Sequence, residues 1–223
     1  MPVPAVPRPG LRDDGYPTIS SREQQSTEDM VRSCLPAFEP APEGEGGGVD
    51  TSECQELTLL RAKHVRFLNE GLESLGGGYS CLDASRPWLC YWILHSMALL
   101  DAPPTKELAS RSARFLSKCQ SPGGGFCGGP GQLPHLAPTY AAVNALATLG
   151  TREALDVIDR KSLHSFLLSC KDPCGGFRMH HGGEIDVRGS YCALNAAFVA
   201  GVLTDELKEG CAAYIASCQT YEG

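Results

Sequence analysis

The sequence predicts an all-α fold of stacked helical hairpins behind a disordered leader, and three observations carry that prediction. Two blocks recur at a spacing of 51 residues, apolar residues recur at helical spacing from residue 57 onward, and the charge imbalance lies before that point. Phe115–Phe126 returns as Phe166–Phe177, and Tyr140–Ala145 returns as Tyr191–Ala196, both offset by 51. Two separate blocks in one register define a unit with two helical segments, each unit burying its apolar face against the next.

Residues 1–56 hold 4 basic and 11 acidic side chains and 8 of the 16 prolines, whereas residues 57–223 hold 15 of each charge. The net charge of −7 therefore belongs to the first quarter of the chain. Such a composition buries too little apolar surface to offset chain entropy, so residues 1–56 read as a disordered, acidic, Pro/Gly-rich leader and residues 57–223 as the folded domain. A neutral body without a Lys/Arg block offers no footprint for nucleic acid or an anionic bilayer. Met1–Asp14 carries proline every two or three residues and no apolar run of signal-peptide type, which points to a cytoplasmic protein. The longest apolar stretch, Trp88 to Leu100, is interrupted by His95 and Ser96 and falls short of the roughly 20 residues a membrane span requires. Of 11 cysteines, Cys90, Cys119, Cys192 and Cys211 lie within apolar helical patterns and read as buried free thiols.

Within the folded part, Leu57, Leu60, His64, Leu68, Leu72 and Leu75 recur at helical spacing, and Gly76–Gly78 supply a stop. A weaker copy of the repeat starts at Pro87, which stands 51 before Pro138. Glycines after Gln120 and Lys171 end one helix of each unit; Ser85 and Asp186 are placed to cap the next, with Pro87 and Pro138 in first turns. A further copy opens at Ala216–Gln219 and the chain stops inside it at Gly223, so the sequence reads as the N-terminal portion of a longer protein or a truncated product.

Four aromatic residues stand out. Trp88 and Trp92 are four apart on one helix face, and Tyr140 and Tyr191 share a repeat position, so their rings converge from neighbouring helices, either around a cavity or within a core. Glu184 and Arg188 are also four apart, as an exposed pair or as a polar binding group. Cys170, Cys174, His180 and His181 have the chemistry of zinc ligands, but Cys170 takes the helix-end position of Cys119 and Cys218, which the repeat alone explains.

The stretch Cys81–Ser96 resembles the β subunits of protein farnesyltransferase, and Gly128–Gln132, His135–Tyr140 and Gly182–Arg188 do so as well, in consistent order between Leu57 and Gly223. The resemblance implies an α-α toroid, a barrel of helical hairpins around an apolar cavity, of which this chain supplies about half. It implies a heterodimer with a farnesyltransferase α subunit that moves the farnesyl group of farnesyl diphosphate to the cysteine thiol of CaaX-ended proteins. By the same resemblance, Trp88, Tyr140, Arg188 and Tyr191 contact the isoprenoid. Ala84, Ser85, Trp88, His135, Ala137 and Pro138 form the pocket for the last CaaX residue, and Trp92 belongs to the pocket for the one before it. Glu184, Arg188 and His135 hold the peptide carboxylate through water.

The family's zinc ligands, an Asp, a Cys and a later His, and its diphosphate-binding side chains belong to sequence beyond the fourth repeat. This chain is thus expected to carry no metal ligand and no catalytic residue, and to be inactive unaided; Mg2+ is a compatible second ion of the complete enzyme. The rival readings are a geranylgeranyltransferase β subunit, whose relatives carry a small residue at the Trp88 position, and an inactive scaffold that binds an α subunit.

Overall fold

Residues 17–34 and 59–221 are described in the computed structural model, and the chain divides into two units, 1–58 and 59–223. In the first unit, Ile19–Cys34 forms helix α1 inside the stretch whose composition reads as disordered. Local polar pairs supply what composition conceals. Thr18 Oγ1 accepts from Ser21 N at 3.0 Å, Gln24 donates to Glu28 and Gln25 to Asp29 at 2.8 Å, and Arg32 bridges Glu28 and Asp29. These i,i+3 and i,i+4 contacts support a helix without a buried face, and Ile19, Met30 and Val31 stay exposed. The rest of the leader lies outside the described residues.

The second unit is a succession of helices: α2 (Arg61–Glu73), α3 (Arg86–Leu99), α4 (Lys106–Cys119), α5 (Leu136–Leu149), α6 (Arg152–Asp156), α7 (Arg160–Ser169), α8 (Val187–Val199), α9 (Asp205–Lys208) and α10 (Cys211–Ser217). A 3-10 segment, Gly77–Ser85, leads into α3, so the Gly76–Gly78 stop passes directly into a tighter helix. Leu68 is the buried residue of α2, while Leu60 is exposed and lies just before the helix. Leu57 falls outside the described residues. Helices α3, α5 and α8 pack side by side in a row, with α4 and α7 against them.

The repeat is legible in the backbone. Gln120 pairs with Phe126 and Lys171 with Phe177, and then Cys127 with Pro134 and Arg178 with Ile185, four isolated bridges in two copies of one turn. Gly124 and Gly175 occupy the tightest point, at φ +102° and +92°. A Cβ there would lie 1.9 Å from the Ser162 carbonyl oxygen or 2.4 Å from that of Gly210, so only glycine lets each turn touch the next helix start. Units are stitched by backbone bonds from helix start to loop, Arg86 N to Gly128 O at 3.0 Å and Leu136 N to Met179 O at 2.7 Å.

Caps set where the row begins. Asp186 Oδ1 accepts from Arg188 N at 2.8 Å at the start of α8, and His135 Nδ1 accepts from Ala137 N at 3.0 Å at the start of α5. Ser85 holds the corresponding place before α3 but makes no side-chain cap bond. Behind the row, Leu116, Phe126, Leu136, Leu146, Leu163 and Phe177 are fully buried, each contributing about 1.5–3 kcal/mol of apolar burial. Cys119, Cys170 and Cys192 join this core, and burial pushes their thiols up to about 12, 11 and 11. Among the described residues no helix is long and apolar enough to cross a membrane.

Candidate functional site

The row α3–α5–α8 presents one face to a cavity of about 990 Å³. Its wall is a run of aromatic rings contributed by successive helices of the row. Trp88 of α3 lies 5.3 Å from Tyr140 of α5, and Tyr140 lies 5.3 Å from Tyr191 of α8, centroid to centroid. Tyr91 meets Tyr140 edge-on at 5.8 Å. The hydroxyls of Tyr140 and Tyr191 stand 3.3 Å apart, and burial, with hydrogen bonding to Tyr191 and Tyr91, pushes the Tyr140 phenol well above its ordinary value. Tyr140 therefore stays neutral, and the wall is apolar with a hydroxyl pair at its centre. One turn along, Asn144 donates to Asn195 Oδ1 at 2.8 Å, again at the 51-residue spacing, which locks α5 to α8.

The polar rim lies at the N-terminal ends of α5 and α8. It holds His135, Glu184 and Arg188, all of which line the cavity. His135 gives its Nδ1 lone pair to the α5 cap, so the neutral ring carries its proton on Nε2, as a donor. Burial first, then neighbouring His180, holds His135 below the usual imidazole value. The Arg188 fork is held chiefly by Asp186, whose Oδ2 accepts from Nε at 3.0 Å and from Nη2, while Glu184 Oε1 stands farther off at 3.4 Å. The hydrogen bonds from Arg188 keep the Asp186 carboxyl below the ordinary carboxylate value.

Of the residues singled out in the sequence, Trp88, His135, Ala137, Tyr140, Glu184, Arg188 and Tyr191 share this cavity. The others stand beside it. Trp92 is half-exposed and packs on Trp88 at 5.5 Å, Pro138 is buried in the first turn of α5, and Ala84 and Ser85 end the 3-10 segment against Gly128. Sequence reading passed over Asp186, taken only as a cap, together with Met179, Asn195 and Phe198 of the lining. Asp186 had a signal: an Asp two residues before an Arg at a helix start can cap the backbone and hold the guanidinium at once. Among the described residues no group of three or more His, Cys, Asp or Glu side chains is gathered as a metal site. Cys170 is buried and Cys174 exposed, so the two share no environment.

Residues 59–223 match the prenyltransferase alpha-alpha toroid domain. The chain belongs to that family. The chain is similar to the protein farnesyltransferase subunit beta of Arabidopsis thaliana, 48% identical over 92% of this chain and 41% of the relative. The corresponding Pisum sativum subunit is 54% identical over 62% of the chain and 33% of its own length. The geranylgeranyl transferase type-2 subunit beta of Saccharomyces cerevisiae is more distant, at 33% identity over 75% of the chain and 52% of the relative. The chain thus spans between a third and about half of the lengths of these relatives.

Proposed function

We propose that this chain forms the isoprenoid- and peptide-facing wall of a protein farnesyltransferase β subunit. The observation that carries the reading is the junction, in one cavity, of a continuous aromatic wall with an imidazole and guanidinium rim. A farnesyl chain is apolar and flexible, and flat rings offer it burial at about 25 cal/mol per Å² without demanding hydrogen bonds. In this proposal Trp88, Tyr140, Tyr191 and the stem of Arg188 flank the isoprenoid. The His135 Nε2–H and the Arg188 fork, fixed by Asp186 and Glu184, bind the terminal carboxylate of a CaaX peptide through water, since both donate and neither accepts. Ala84, Ser85, Ala137 and Pro138, with the two tryptophans, bound the C-terminal peptide side chains.

In the complete heterodimer with an α subunit, a protein of the cytoplasm in this proposal, the peptide thiol displaces diphosphate from the farnesyl group. The described residues do not compose the zinc site that the family implies. This chain's own contribution is to bind both substrates, orient the carboxylate and exclude water from the prenyl chain; alone it is not expected to turn over.

Co-expression of the polypeptide with a farnesyltransferase α subunit tests the reading. Binding of farnesyl diphosphate and of a CaaX peptide, both weakened by Tyr191→Ala, is the expected result. A heterodimer that forms yet binds neither ligand would refute it and leave the scaffold.

A further inference from the structure

One imidazole at the rim has no part in the function proposed above. His180 follows the Arg178–Ile185 bridge in a turn closed by Gly183 N donating to the His180 carbonyl at 2.9 Å. Its ring lies 5.3 Å from that of His135, tilted by 32°. Two contacts fix the ring there. Its Nδ1 is 3.0 Å from the His181 carbonyl oxygen, which can only accept, so Nδ1 carries a proton. On its other side stands Gly183, where a Cβ would come within 2.7 Å of the ring, so a side chain at residue 183 would expel the imidazole from its seat. The ring is held between a glycine backbone and His135.

We propose that His180 is a positioning residue for the carboxylate-binding rim: it packs the His135 ring so that Nε2–H faces the cavity, and, when protonated, it adds a cation that tightens binding of a peptide carboxylate. This rests on the reading that the rim binds a terminal carboxylate. The surroundings support the sign. His135 faces His180 from the start of α5 and is spent as a cap through Nδ1, which disfavours a second proton on that ring. Toward α8 stand Glu184 and Arg188, the latter tied to Asp186. Arg178 donates to the Gly183 carbonyl at 3.4 Å and is paired with Asp172 at 2.7 Å. Glu184 is the rim carboxylate that shares its cation, Arg188, with Asp186, so a proton on His180 shifts the local balance toward the cationic side and favours an anionic ligand. Affinity for an anionic ligand should therefore rise as the rim gains a proton.

The test uses the heterodimer of the polypeptide with an α subunit and a fluorescent peptide ending in a CaaX-like sequence with Ser in place of Cys, which removes thiol titration. The peptide is compared with its C-terminal amide. Wild type should bind the free-carboxylate form about three- to tenfold more tightly at pH 6 than at pH 8, with no such change for the amide. His180→Phe keeps the ring packing and should make the profile flat; His180→Gln should do the same while also loosening binding at pH 8. An unchanged pH ratio in both variants overturns the role of His180. Equal binding of carboxylate and amide by wild type overturns the carboxylate reading of the rim itself, and this proposal with it.

Discussion

Trp88→Thr tests the wall where it is most demanding. The indole is half-buried and touches three rings, Trp92 at 5.5 Å, Tyr140 at 5.3 Å and Tyr91 at 6.3 Å. At about 0.5–1.5 kcal/mol per aromatic pair in addition to the apolar area the ring buries, with partial exposure favouring the low end, its loss should cost at least about 1.5 kcal/mol of stability. For a domain of this size that lowers Tm by about 3–6 °C, so assays at 25 °C still see folded protein. The functional effect runs the other way. If the indole closes one end of the isoprenoid space, replacing it opens room for one more five-carbon unit, and each added methylene buried is worth about 0.8 kcal/mol. Imperfect filling of the new space still leaves a shift in preference of at least about tenfold, or 1.4 kcal/mol, toward geranylgeranyl diphosphate. The assay is kcat/KM for both diphosphates with an α subunit present, on the complete β subunit with and without the substitution, since this chain is not expected to turn over. An unchanged ratio alongside the expected fall in Tm would show that Trp88 packs the wall without gauging chain length, and would reopen the geranylgeranyl reading.

Four further outcomes follow from the repeat and its caps. Buried Thr139 accepts from Phe126 N at 2.9 Å and donates to the His135 carbonyl at 2.7 Å, so Thr139→Val should cost about 1–3 kcal/mol in a urea titration. Ser190, its counterpart 51 residues on, is buried with its hydroxyl unpartnered, so Ser190→Ala should be neutral or stabilising, and a loss above about 1 kcal/mol would show that it has a partner. Gly175→Ala should lose at least about 2 kcal/mol from positive φ and the clash with Gly210, or else the turn is looser than the structure has it. Asp159, Asp172, Asp186 and Asp205 all titrate below the ordinary carboxyl value because hydrogen bonds favour their charged forms. Their contribution to stability is complete above about pH 4 and drains as pH falls through the lower folded values, so chemical denaturation midpoints should drop below pH 4, less steeply in Asp159→Asn.

The sequence showed the architecture because the physics repeats. Phe126 and Phe177, Gly124 and Gly175, and Asn144 and Asn195 each do one job twice, and a 51-residue comparison exposes them without coordinates. Helix α1 escaped because its support is a ladder of polar side-chain pairs, invisible to a search for an apolar stripe. Asp186 escaped because one side chain does two tasks, and spacing reveals the cap but not the fork it holds. His180 escaped because its neighbour His135 is 45 residues away and across a turn, a proximity that only the stacking of units creates.

The same register separates scaffold from chemistry. Where the two units agree, at Tyr140 and Tyr191 or Asn144 and Asn195, the result is a uniform wall. Where they differ, polar function enters. The α5 cap is an imidazole at His135 and the α8 cap a carboxylate at Asp186; Ala137 answers to Arg188, Leu133 to Glu184, and Gly129 to His180. The substitutions cluster at helix starts, where free backbone N–H groups already favour anions. The change of Ala137 to Arg188 sets a cation at the helix start, held there by Asp186 and Glu184, while the aromatic positions Tyr140 and Tyr191 further along stay constant and keep the wall apolar. A row built this way can change its polar rim without disturbing its aromatic wall, because the two lie at different depths of the same helices.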